Sequence, residues 1–286
     1  MIRSVGIICK PIRKIIRTVV PPLVEWLEKR GVTTRIEANT CEHLDAKRLS
    51  VDQKALVESI DLLIVLGGDG TLLSAARSLE GHAVPILAVN LGGLGFLTSF
   101  TLEELYPMLE LVLAGDYRVT ERMMLDAEVV HEGVRGERIC ALNDAVANKG
   151  ALSRMLSFDV YVNQSHVGRY RADGLIVATP TGSTAYSLAA GGPVVQSDLE
   201  AFVITPICPH MLTNRPLVVP DTATVEVDFA AADEPVYLTL DGQIGMELSP
   251  RDRVVITKSK SKVRFVRPLR KTYYEVLRSK LRWGER

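Results

Sequence analysis

What the 286-residue sequence lacks narrows its chemistry first. It carries no net charge, with 34 Lys plus Arg against 34 Asp plus Glu, so no overall field draws it to nucleic acid or to an anionic membrane. A specific small-molecule site fits better, and neither nucleic acid nor a membrane is expected as a partner. Only four cysteines occur, Cys9, Cys41, Cys140 and Cys208, and none stands at a paired spacing. No stretch resembles a signal peptide, and none is apolar for the length of a spanning helix. The expectation is a reduced, soluble, cytoplasmic protein. Internal repeats and low-complexity segments are absent. So is a Walker A sequence, which excludes a P-loop kinase. At this length two domains are expected, each large enough to bury its own core.

What is present centres on Asp61-Leu62-Leu63-Ile64-Val65-Leu66-Gly67-Gly68-Asp69-Gly70-Thr71. The apolar run has no alternation, as expected of a strand buried on both faces of a parallel sheet. Gly67, Gly68 and Gly70 offer positive φ and close approach to the backbone, and Thr71–Arg77 reads as the helix that follows, so the turn has the form of a phosphate cradle. Asp69 is out of place there, because a bare carboxylate repels the anions such a cradle welcomes. Two tasks suit it: holding the cation that accompanies a nucleotide polyphosphate, or accepting the proton of a hydroxyl that attacks phosphorus. The bland alternative is a tight strand-to-helix turn with Asp69 as a helix cap.

In chain order, Ser4–Cys9 reads as a first strand, Pro21–Gly31 as a helix opened by proline and closed by glycine, and Thr33–Ala38 as a second strand. Val84–Asn90 is another buried strand, running into a second glycine-rich crest at Leu91–Phe96. In an open parallel sheet both crests lie beyond the carboxyl ends of the strands, where ligands bind. Thr101 and Glu104 form a capping box for a helix closing at Gly115. From about Arg118 the texture turns to short strands: Met124–His131, Ile139–Asn148, Met155–Asn163, Gly174–Thr179, Thr222–Phe229, Val236–Leu240 and Val254–Thr257. The predicted architecture is an open parallel α/β domain over residues 1–117 and a β-rich sandwich over 118–267, with a terminal helix, Thr272–Trp283, returning to the first domain. Lys258–Lys271 holds seven basic residues and no acid, read as a solvated edge strand protected by charge, with a phosphate-contacting patch as the alternative.

The second half carries polar groups in apolar company. Asn143 and Asp144 sit inside a strand-like run, where an unpaired polar group costs roughly 1 to 3 kcal/mol. They belong either to an internal hydrogen-bonded turn or to the ribose hydroxyls or adenine edge of a ligand. Arg171 and Asp173 read as a plain ion pair. Ala178–Gly192 combines a strand end, a Pro-Gly turn, hydroxyls and a small-residue helix. Its amides and hydroxyls suit a polar ligand, and Tyr186 suits stacking on a base or sugar. Cys208-Pro209-His210 lacks the partners of a metal site, and Asp241-Gly242-Gln243 reads as a hairpin turn.

Together, Gly67–Thr71, Asn143-Asp144, Thr179–Tyr186, Ile204–His210 and Asp241–Gln243 resemble the NAD kinase family in order and spacing along most of the chain. The first motif alone is shared with diacylglycerol and sphingosine kinases, so a lipid or sphingoid kinase is the alternative enzyme. A non-catalytic dinucleotide sensor is the alternative class. The resemblance implies transfer of the γ-phosphate of ATP to the 2′-hydroxyl of NAD's adenosine ribose, with a divalent metal, Mg2+ foremost, in a homodimer or homotetramer. It implies Asp69 as proton acceptor and, with Gly70, as NAD contact. It places Asn143 and Asp144 on the adenosine part, and Arg154, Arg171, Asp173, Thr184, Ala185, Tyr186, Ser187, Leu188, Ala189 and Gln243 on the dinucleotide. The chain departs from many relatives at Ser74, five positions after the motif aspartate, where they carry a basic residue. Arg77 lies one helical turn on.

Overall fold

The computed structural model describes residues 2–44, 46–92, 95–150, 155–211, 213–229, 235–249, 251–267 and 272–282. The chain folds as two compact units, Met1–Glu121 with Val263–Arg286, and Arg122–Lys262.

The first unit is an open parallel sheet. The strand Leu62–Leu66, buried at every residue, lies between Ser4–Cys9 and Pro85–Asn90. Thr33–Glu37 and Ser50–Val51 extend the sheet beyond Ser4–Cys9, and the end of Arg253–Arg267 extends it beyond Pro85–Asn90. The order reverses beside Leu62–Leu66, since the chain leaves Ser4–Cys9 first to one side and then to the other. That switch opens the crevice where open α/β sheets take ligands. The helix Arg13–Glu28 covers one face through Ile16, Val20, Leu23, Val24 and Leu27, a helical stripe. It starts eight residues before the predicted proline start, and Pro21 and Pro22 stand inside it. The stripe is continuous through Ile16 and Val20, and its burial outweighs the backbone bonds the prolines forfeit. At the helix Leu105–Ala114 half of the expected capping box is present: Thr101 N–H donates to Glu104 at 2.9 Å, and Gly115 closes the helix at φ 83°. The last helix, Tyr273–Leu281, has a complete box from Thr272 and Glu275 and falls in the first unit.

The second unit is an antiparallel sandwich. One sheet runs Leu217–Pro220, Ala201–Ile207, Gly174–Ala178, Asp144–Lys149, Val236–Leu240, Ile244–Leu248. The other pairs Ser165–Ala172, Leu156–Val162, Val225–Asp228 and Arg253–Arg267, with the hairpin of Arg118–His131 and Val134–Ala141. Phe158, Phe202 and Phe229 fill the core with Leu125, Leu175, Leu238 and Val254.

Two expectations are corrected here. The basic stretch is not a solvated edge. Arg253–Ile256 pairs with Val225–Asp228, while Arg264 and Phe265 pair with Pro85 and Ile86. Two of its cations find acids, Lys258 with Glu200 and buried Asp221, and Arg264 with Glu121, while Arg267 bonds the Thr120 hydroxyl; residues 268–271 lie outside the described part. The predicted strand Ile139–Asn148 is interrupted at Leu142 and Asn143, because a side chain takes over their backbone bonds.

Candidate active site

In the first unit the chain leaves Leu62–Leu66 with Gly67 N–H bonded to the Val89 carbonyl at 2.9 Å. The helix Asp69–Ser78 begins at once, with Gly68 as its extended N-cap and Asp69 in its first turn, where a carboxylate meets the helix dipole favourably. The expected positive φ is not used, since none of Gly67, Gly68 and Gly70 is left-handed; what Gly67 contributes is its lack of bulk. A Cβ on Gly67 would stand 2.5 Å from Thr71 Oγ1, whereas Gly68 faces open space. Ser74 is exposed on this helix.

The second crest closes onto Asp69. Phe96 N–H donates to Asp69 Oδ2 at 3.1 Å, and Leu97 and Thr98 N–H donate to Oδ1 at 3.3 Å. The Thr98 hydroxyl adds a longer contact to Oδ1, at 3.4 Å. A Cβ at Gly95 would lie 2.1 Å from Asp69 Oδ1, so only glycine lets the crest approach this closely. Oδ1 is thus crowded by donors, while Oδ2 has the single amide of Phe96. The carboxylate does more than cap a helix: it joins the two glycine-rich crests.

In the second unit the break at Leu142-Asn143 is built by Asp241. Its carboxylate accepts the N–H of Leu142 at 3.2 Å, of Asn143 at 2.7 Å and of Asp144 at 3.4 Å. It can reach them because Asp241 and Gly242 make a hairpin turn with left-handed φ of 52° and 64°. On the other side Thr179 Oγ1 donates to the Leu142 carbonyl at 2.6 Å and Thr179 N–H to the Asn143 carbonyl at 2.8 Å. Gly182 fits against the same carbonyl, where a Cβ would stand 2.0 Å away. The Asn143 backbone is therefore fully committed to the protein. Its side-chain Oδ1 is buried with no protein partner, and so is Thr181 Oγ1, which is how a polar group kept for a ligand looks. Asp144 is 4% exposed, and burial, with the Asp241 charge second, pushes its carboxyl up to about 7.

The other predicted contacts divide. Tyr186 is 42% exposed and free to stack on a ligand, with Ala185 before it and Leu188 and Ala189 following in the short helix Tyr186–Ala189. Ser187 is not available: it is fully buried and bonds Thr205 Oγ1 at 2.9 Å. Ser183 and Thr184 likewise spend their hydroxyls on the carbonyls of Pro180 and Thr181. Arg171 is exposed, and the expected ion pair with Asp173 gives way to Lys149 at 2.9 Å; Asp173 stands past the end of Ser165–Ala172, where the chain enters Gly174–Ala178. Gln243 is exposed at the hairpin. Arg154 lies outside the described residues. Sequence reading missed Asp241, Thr179, Asn90 and Thr98 as site-building residues. The one available signal was position, and it covers three of them: Asn90 ends a strand beside a motif, and Thr179 and Asp241 directly follow one. Among the described residues no group of three or more His, Cys, Asp or Glu side chains gathers to cage a metal ion, and no helix is long and apolar enough to cross a membrane.

Comparison with known proteins gives a consistent result. The chain matches the model of the ATP-NAD kinase N-terminal domain over residues 5–117 and that of the ATP-NAD kinase C-terminal domain over residues 142–268. It is 47% identical over 286 residues to an NAD kinase of Solibacter usitatus, covering all of this chain and 99% of that protein. It is 52% identical over 268 residues to one of Geobacter metallireducens, covering 92% and 93%. Among solved structures it resembles yeast NADH kinase complexed with NADH, with a TM-score of 0.89 at 26% identity over 99% of this chain and 89% of that one. It also resembles an NAD kinase from Archaeoglobus fulgidus in complex with ATP, with a TM-score of 0.78 at 25% identity over 98% of both.

Proposed function

Because the chain belongs to the NAD kinase family and phosphorylates NAD with ATP to give NADP, we propose that Asp69 receives the 2′-hydroxyl of the adenosine ribose and aims it at the γ-phosphorus. The observation that carries this is the unequal loading of the carboxylate, with Oδ1 crowded by amides and Oδ2 left with one contact. A carboxylate is a weak base for an alcohol. In a loose phosphoryl-transfer transition state the nucleophile keeps its proton until late, so Asp69 contributes mainly orientation and takes the proton as the new P–O bond forms and the γ-phosphorus parts from the departing ADP. Asn143 Oδ1 and Asp144 hold the adenosine part, with Gly70, Tyr186, Gln243 and the Arg171 and Arg154 side chains along the dinucleotide.

A divalent cation, Mg2+ foremost, belongs to this reading. Such ions bind largely through nucleotide phosphates, so the triphosphate of ATP would hold it, and Asp69 Oδ2 stays with the hydroxyl. When bound it neutralises charge on the transferring phosphoryl group. A cytoplasmic homodimer or homotetramer completes the proposal.

The test is NADP formation from NAD, ATP and Mg2+, followed with an NADP-specific dehydrogenase, for wild type and Asp69→Asn. The variant should fold and lose turnover by orders of magnitude. Near-normal turnover would remove Asp69 from the mechanism.

A further inference from the structure

Asp69 is held by a buried chain of side chains that the motif does not contain. Thr98 is 1% exposed and Asn90 7%. Asn90 Oδ1 accepts Gly92 N–H at 2.7 Å, which fixes the amide so that its Nδ2 donates to Thr98 Oγ1, also at 2.7 Å. The Thr98 oxygen accepts a second hydrogen from Gly95 N–H at 3.1 Å. A hydroxyl has two acceptor positions and one proton. With both positions filled from Asn90 and Gly95, the proton must leave toward the remaining neighbour, and that neighbour is Asp69 Oδ1 at 3.4 Å.

We propose that Thr98, itself oriented by Asn90, is a positioning residue that fixes the rotation of the Asp69 carboxylate and so presents Oδ2 to the reacting hydroxyl. The inference rests on the reading of Asp69 given above. The backbone amides of Leu97 and Thr98 hold Oδ1 in place, but they lie on a segment outside the strands and helices. The hydroxyl ties that segment to Asn90 at the end of the Pro85–Asn90 strand, a rigid element of the sheet. Without the tie the carboxylate keeps its neighbours and loses its angle, and phosphoryl transfer depends on that angle.

The experiment compares Thr98→Val, which keeps the shape and removes the hydroxyl, with Thr98→Ser, which restores it. Asn90→Asp is the second probe: it keeps the acceptor for Gly92 but cannot donate, so the Thr98 proton turns to the new carboxylate. The expected result is a kcat lowered roughly 10- to 100-fold in Thr98→Val and Asn90→Asp, with KM for ATP changed by less than about threefold. Thr98→Ser should recover to within about threefold of wild type. In an Asp69→Asn background, Thr98→Val should cost little more, because the two residues act as one unit. Wild-type kcat in a folded Thr98→Val, a full additive loss in the Asp69→Asn background, or no recovery with serine would each overturn the proposal. So would a failure of both Thr98→Val and Asn90→Asp to fold, which would assign the pair to the core alone. A wild type that makes no NADP would instead bring down the kinase role of Asp69, and the orientation with it.

Discussion

Asp144 makes the sharpest physical prediction, because its cost is paid in stability and read by pH. Its carboxyl is buried beside Asp241 and rises from the ordinary 3.8 to about 7. Between those two values the folded protein holds a proton that the unfolded chain releases. Stability therefore falls as pH rises through this window, by about 1.4 kcal/mol for each pH unit. The whole window is worth on the order of 4 kcal/mol, an upper figure because burial relaxes and water enters. The penalty is absent below pH about 4 and complete above pH about 7. Replacing the carboxyl by an amide of nearly the same shape removes the titration. Asp144→Asn should gain melting temperature on wild type as pH is raised from 4.5 to 8, by roughly 8 to 16 °C in all. Fluorescence-monitored melting of the two proteins at half-unit pH steps gives the difference curve, in which the other titrating groups cancel. A difference that stays flat across the window would refute the buried, protonated carboxyl.

Two glycines give tests of close approach. Gly95→Ala sets a methyl against Asp69 Oδ1 at 2.1 Å and Thr98 Oγ1 at 2.5 Å, so it should displace the carboxylate. It should cut kcat at least about tenfold while costing roughly 1 to 3 kcal/mol of stability; unchanged turnover would show that the crest yields freely. Gly182→Ala meets the Asn143 backbone carbonyl at 2.0 Å, which no rotamer can relieve. It should raise KM for NAD more than it lowers kcat and reduce stability by about 3 kcal/mol, both read from one purified variant by kinetics and melting; a wild-type KM would separate Gly182 from the adenosine site.

The parts of this protein legible in the sequence are those set by local pattern. The apolar run before Gly67 could only be a buried parallel strand, and Asp241-Gly242 could only be a turn. Pro21 and Pro22 misled because a local preference for helix starts competes with a tertiary stripe that begins at Ile16, and burial decides such contests. Ser165–Ala172 and Leu217–Pro220 were not recognised as strands, the first largely exposed and the second a short edge, so neither shows the apolar alternation that reveals a half-buried strand. At the site, Asn143 stood out because a polar side chain in an apolar run needs a reason, and Asp69 because a bare carboxylate is out of place in an anion cradle. Asp241 and Thr98 did not, because the groups they orient are distant in sequence, and Asn90 did not, because it acts through Thr98. Asp241 lies 97 to 99 residues from the amides it holds.

The two units solve one problem in the same way. A residue that must meet a substrate through one atom is first deprived of every other freedom. In the second unit Asp241 and Thr179 consume the backbone donors and acceptors around Asn143, which leaves its side-chain Oδ1 as the unpaired buried oxygen. In the first, three amides and the Thr98 hydroxyl engage Asp69 and concentrate on Oδ1, which leaves Oδ2 the more open. Rotamer entropy lost on binding is then small, since folding has already removed it. The two devices should fail differently. Loosening Asn143 disturbs an interaction made equally with substrate and transition state, so its effect belongs in KM. Loosening Asp69 disturbs the line of attack, which matters only once the phosphorus is approached, so its effect belongs in kcat. A set of variants around Asp241 and Thr179 on one side, and Thr98 and Asn90 on the other, should therefore sort into two kinetic classes. If both sets moved the same parameter, the division of labour between a binding unit and an aiming unit would be wrong.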